Sequence, residues 1–141
     1  MKIEPTYITF KQAKLLKEKG YIQKPTKLSE PYYNYNGELN GDMLEYIKSY
    51  VAKNKKDLLK YSSVAAPEQW KVVEWLRVEY GIWIEVGVGN LFYKDKFYVL
   101  IKKYDIGRWE LSPLDNKTHS PYNSPQEAYS SAFDYTLKEL I

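Results

Sequence analysis

The chain contains no cysteine and a single histidine, His119. The first absence excludes disulfides, thiol nucleophiles and cysteine-ligated zinc, and it fits a reducing compartment. The second leaves too little imidazole for a histidine-rich metal cage and argues against a Ser-His-Asp arrangement. No apolar run approaches the roughly 20 residues that cross a bilayer. The opening Met1-Lys2-Ile3-Glu4-Pro5 lacks the apolar core and small-residue cleavage site of a secretory leader. A cytoplasmic protein without membrane association is therefore the expectation. Net charge is also small: 21 Lys/Arg stand against 18 Asp/Glu, a net +3 that does not by itself mark a polyanion binder.

What is present describes an ordinary globular chain. Its 141 residues, 44% hydrophobic and 28% charged, suit one domain over residues 1–141 with one core. Two features depart from the average. Fifteen residues are tyrosine, which buries a ring while keeping a polar tip wet and so suits contact surfaces. Charge is also unevenly placed: residues 1–61 carry 12 Lys/Arg against 7 Asp/Glu, and residues 62–141 carry 9 against 11.

Helix signals come early and late. Thr9-Phe10-Lys11-Gln12 is a capping box, and Gly20 stands where a left-handed residue ends the helix, which predicts helix over 9–19. A second helix is expected from Asp42, with Leu44, Ile47 and Val51 as its stripe. A third lies between Pro67 and Gly81. On that helix Trp70, Val72, Val73, Leu76 and Tyr80 share an arc of about 160°, leaving Trp75 and Val78 outside the core stripe. Ser124-Pro125-Gln126-Glu127 opens a last helix whose inner face is Ala128, Tyr129, Ala132, Phe133, Thr136, Leu137 and Leu140.

Between them lies a β section. Ile82, Ile84 and Val86 alternate with Trp83 and Glu85, and Phe97–Lys103 alternates likewise. Gly87-Val88-Gly89-Asn90 is expected to turn the chain, as is Tyr104–Gly107 before Arg108–Ser112. The fold class is α+β: a three- or four-stranded antiparallel meander with helices packed on one face, in the order α-α-α-β-β-β-α. Within it, residues 22–62 form a variable Tyr/Lys-rich region, with loop or a brief edge strand at 32–35.

Few residues assemble into recognisable chemistry. Val86-Gly87-Val88-Gly89-Asn90 lacks the third glycine of a dinucleotide fingerprint and the Lys-Ser/Thr of a P-loop, and leads to a strand, so a plain turn is the better account. Glu85, Glu110, Asp95, Asp105 and Asp115 have no spacing that brings two carboxylates together, and solvated or cross-strand charge pairing explains them better than acid–base work. No catalytic residue, cofactor or metal is expected, and His119 is an ordinary loop residue.

Binding is the stronger expectation. Tyr32, Tyr33 and Tyr35, with Asn34 and Asn36, have the composition of a contact loop. Trp75 and Val78, outside the core stripe, would anchor a protein partner or a second protomer. Lys53, Lys55, Lys56 and Lys60, with Tyr50 and Tyr61, offer phosphate contacts beside stacking rings, so nucleic-acid binding is the alternative. A second alternative is binding or hydrolysis of a small anionic ligand.

Ala66-Pro67-Glu68-Gln69-Trp70-Lys71-Val72-Val73-Glu74-Trp75-Leu76-Arg77, running into Tyr80-Gly81-Ile82, resembles the A-P-x-x-x-x-V-x-x-W-L-R…G-I segment of small uncharacterised proteins of Bacteroidales bacteria and their phages. Ser124-Pro125-Gln126-Glu127-Ala128-Tyr129 is similar to their closing S-P-Q-E-A-Y helix, and Phe10–Gly20 to their opening one. The resemblance implies a bacterial or phage cytoplasmic origin and a shared α+β fold. It brings no activity and no functional residues. It leaves 22–62 unmatched.

Overall fold

In the computed structural model, which describes residues 4–21, 31–34, 36–41, 64–89, 95–105, 107–111 and 121–141, local side-chain chemistry sets the helix ends. The chain divides into two compact units where the sequence reads as one domain: Tyr7–Pro67, and Met1–Thr6 together with Glu68–Ile141. It is of α+β type, with three α-helices among the described residues.

In the Tyr7–Pro67 unit, helix α1 spans Phe10–Glu18. The Thr9 hydroxyl accepts the Gln12 N–H at 3.2 Å, and the Gln12 side chain accepts the Thr9 N–H at 3.0 Å. This reciprocal box satisfies two of the donors that a helix start leaves open, and it lets the Gln12 side chain be buried. At the other end Gly20 has φ +90°, and the Tyr21 N–H returns to the Leu16 carbonyl at 2.9 Å. Ala13 and Leu16 face inward.

Three two-residue strands complete the description of this unit: β1 (Tyr32–Tyr33), β2 (Leu39–Asn40) and β3 (Val64–Ala65), all antiparallel, with β1 in the middle. Asn34 makes the β1–β2 turn, its side-chain oxygen accepting the N–H groups of Asn36 and Glu38. Gly37, at φ +78°, follows, where a Cβ would stand 2.9 Å from the Phe10 ring. The expected second helix from Asp42 lies outside the described residues.

In the other unit, helix α2 (Gln69–Tyr80) starts at Glu68 and ends at Gly81, whose φ of +63° is the left-handed stop. Strands β4 (Ile82–Val88), β5 (Phe97–Asp105) and β6 (Arg108–Leu111) form one antiparallel sheet in that order. Helix α3 (Pro125–Tyr135) packs against β4 and β5. The Ser124 hydroxyl accepts the Glu127 N–H at 3.1 Å, while the Glu127 carboxylate accepts the Asn123 N–H at 2.9 Å. A π-helical turn, Thr136–Leu140, continues it. Ile82, Ile84, Val99 and Ile101 are buried on the sheet side of this unit, and Ala128, Ala132, Phe133 and Leu137 on the helix side. The two alanines let the helix lie close, as their spacing predicts.

The described order is thus α1-β1-β2-β3-α2-β4-β5-β6-α3, not α-α-α-β-β-β-α. The sheet of very short strands is the difference, because Tyr32–Tyr33 finds its second neighbour far along the chain. Two local expectations also change. Gly87 and Val88 belong to β4 and not to a turn. Residues 113–123 read as loop, yet Phe97 and Tyr122 form a β-bridge, with mutual N–H to carbonyl bonds of 2.9 and 3.2 Å.

Candidate interaction surface

Residues directly opposite each other on antiparallel strands share a face, and alternate residues share it along each strand. The β4–β5 register pairs Ile84 with Ile101 and Val86 with Val99, which look toward the core. It pairs Trp83 with Lys102, Glu85 with Leu100 and Gly87 with Tyr98, which form the outer face. Tyr104, two residues beyond Lys102, continues that face and is 50% exposed; Trp83 is 46% exposed. Together they put aromatic area on the outer face of the sheet.

The charges on this face are matched in pairs. Lys102 Nζ lies 3.2 Å from Glu85 Oε2. Next to them the Arg77 guanidinium sits 5.3 Å from the centre of the Trp83 ring, a cation–π arrangement. Arg77 Nε donates to Glu74 Oε2 at 2.9 Å, and its Nη2 donates to Glu74 Oε1. Those hydrogen bonds from Arg77 hold the Glu74 carboxyl below its ordinary value, and they raise the guanidinium in turn. The fork orients the guanidinium, whose centre lies beside the indole. Tyr98 fills the space above Gly87.

The sequence-derived candidates are distributed differently. Val78 is 61% exposed on α2. Trp75 is half-buried, edge-on to Tyr80 at 5.1 Å and 72°. Trp70, expected in the core stripe, is 62% exposed, whereas Gln69 is buried in its place. The reason is polar: the Gln69 N–H donates to the Thr6 carbonyl at 2.9 Å, and its side-chain amide donates to the Gln126 carbonyl at 3.1 Å. Those bonds hold Gln69 inward, and the indole of the next residue stands on the outward side.

Tyr32 is buried in β1. The Tyr33 hydroxyl donates to the Ile8 carbonyl at 2.6 Å, and its ring tilts against Phe10 at 5.6 Å. Burial pushes the Tyr33 phenol above its ordinary value. These two tyrosines are therefore used inside their own unit, not displayed as a contact loop. Tyr35, Lys53, Lys55, Lys56, Lys60, Tyr50, Tyr61 and His119 lie outside the described residues. Trp83 and Tyr104 were missed as candidates. Their signal was that Trp83, Tyr98 and Leu100 make the second face of these strands nearly as apolar as the first.

A shallow groove of about 330 Å³ forms a separate feature of the same unit. Trp70 and Tyr129 wall it, Pro5 and Pro125 extend the walls, and Glu4 and Glu68 contribute carboxylates. Among the described residues, no cluster of His, Cys, Asp or Glu is arranged to hold a metal ion, and no helix is long and apolar enough to cross a membrane. Compared with known proteins, the chain matches no protein family, no curated protein and no solved structure.

Proposed function

We propose that the protein is a non-catalytic binding module that engages another polypeptide, a partner or a second copy, through the outer face of β4 and β5. One observation carries this reading: Trp83 and Tyr104 stand about half exposed on a sheet face whose neighbouring charges are already matched. Aromatic area at low charge is the composition of a protein-contact core, not of a phosphate-binding surface. The unit itself, residues 1–6 with 68–141, carries 10 Lys/Arg against 12 Asp/Glu, which also disfavours a polyanion there. Val78 remains a contact residue of the same kind. The resemblance to small Bacteroidales and phage proteins supports a bacterial or phage setting in the cytoplasm.

The test is site-specific photo-crosslinking in the full chain. A photoreactive side chain at position 83 or 104, irradiated in lysate of the source cells, is expected to give discrete adducts. An adduct of twice the chain mass means self-association, and any other protein adduct names a partner. The same group at the exposed Lys138 serves as control. Only solvent-quenched monomer at both 83 and 104 would overturn the proposal. Retention on oligonucleotides that weakens steeply with salt would instead favour the basic stretch from Lys53 to Lys60.

A further inference from the structure

We infer that the groove walled by Trp70 and Tyr129 is a binding site for a small organic cation, an ammonium or guanidinium group on a short alkyl stem. The inference is independent of the sheet face. The groove, about 330 Å³, is at the lower end of the volumes that hold small ligands. Its walls are the indole of Trp70, the phenol of Tyr129 and the rings of Pro5 and Pro125. The carboxylates of Glu4 and Glu68 also line it, and no lining residue is basic.

The rings and carboxylates in that list select for the same chemistry and act against the positive N-terminal ends of α2 and α3, which also line the groove. Aromatic faces carry negative quadrupole charge and attract cations, most strongly at tryptophan. Carboxylates add a second attraction and repel anions. Apolar walls reward an alkyl stem, which a bare metal ion lacks.

The walls are also held in place. Trp70 Nε1 donates to Glu68 Oε2 at 2.8 Å, which orients the ring and the carboxylate together. Tyr129 stacks on Phe133, with centroids 6.3 Å apart and planes 25° apart. Beneath them Gln69 is tied to Thr6 and Gln126. The chain itself supplies a precedent, since Lys71 Nζ lies 5.7 Å from the centre of the Trp70 ring. A lysine ammonium thus stands within cation–π range of this indole, outside the groove lining.

The experiment titrates the full chain with cadaverine and with agmatine, following the backbone amide signals of Gln69, Gln126 and Tyr129 by NMR. Both cations are expected to shift these signals saturably with millimolar affinity, while the neutral 1-pentanol and the dianion glutarate leave them in place. Trp70→Ala should weaken binding roughly fivefold. Glu68→Gln should weaken it about threefold, and added salt should do the same. Trp70→Phe, which keeps a ring, retains most of the affinity and guards against misfolding of the alanine variant.

Equal shifts with 1-pentanol would overturn the inference. So would no saturable shift with either cation at roughly ten millimolar, or unchanged affinity in both Trp70→Ala and Glu68→Gln. A further arm distinguishes the source of the cation. Tighter binding of N-acetyl-lysine-N-methylamide than of cadaverine assigns the site to a protein side chain, and the reverse order assigns it to a free polyamine.

Discussion

The Tyr98 ring occupies the space where a side chain at Gly87, its cross-strand partner, would stand: a Cβ there would lie 2.3 Å from Cζ and 2.4 Å from Oη. Gly87 therefore leaves room for the ring opposite it and is not needed for its own backbone angles. Aromatic residues paired across from strand glycines recover the packing that the glycine forgoes. Gly87→Ala is expected to lower stability by about 1 kcal/mol or less as the end of the ring is forced aside. In a Tyr98→Ala background the added methyl should cost almost nothing. Denaturant unfolding of the four variants reads the coupling directly.

The Glu74–Arg77 pair yields a prediction in acid. Hydrogen bonding from Arg77 lowers the Glu74 carboxyl below 4.5. A lowered carboxyl adds stability above its unfolded-state value and loses it as pH falls through the folded one. The pair lies at the solvent-facing surface, so the global effect is small and local titration is the better measurement. Carboxyl NMR should place the Glu74 midpoint below 4.5, and Arg77→Ala should return it to that value. Trp83 fluorescence should change in the same variant, because the guanidinium leaves its ring.

Tyr33 predicts behaviour at the alkaline end. Its phenol is raised above 10.0 by burial. The neutral form therefore adds stability that is fully present below 10.0 and is lost as pH rises through the folded-state value. Tyr33→Phe should abolish this part of the alkaline loss. At neutral pH the same change removes the bond to the Ile8 carbonyl and should cost about 1 kcal/mol. Comparing unfolding curves of the two proteins from neutral to strongly alkaline pH measures both effects.

Thr136 is buried, and among the described residues its hydroxyl finds no hydrogen-bond partner. An unpaired buried hydroxyl is costly, and an apolar group of the same shape is not. Thr136→Val should raise stability by about 1 kcal/mol, seen as a higher thermal midpoint. Its neighbour Leu137 gives the contrast: Leu137→Ala should cost about 2–5 kcal/mol by opening a cavity.

Helix starts were readable in the sequence because capping is local. Thr9 with Gln12, and Ser124 with Pro125 and Glu127, state their conformation within four residues, and the Gly81 stop is equally local. Ser124→Ala and Thr9→Ala should each cost about 1 kcal/mol in denaturant unfolding. Features that depend on distant partners were not readable. Nothing near Gly87 announces Tyr98, and nothing near Tyr32 announces Val64 and Ala65. The wheel of α2 defines a stripe but not its edge, and two bonds to Gln69 moved that edge past Trp70. Trp83 and Tyr104 were visible as letters, but only the register placed them together on an outer face.

The two units are nested in sequence. Within one, the Ile8 N–H meets the Pro67 carbonyl at 3.2 Å; within the other, the Gln69 N–H meets the Thr6 carbonyl at 2.9 Å. Each closes its own ends at the crossing. A ribosome consequently delivers the inner piece whole while the opening residues of the outer one still await their mates. Splicing Thr6 to Glu68 would leave the outer piece uninterrupted in sequence.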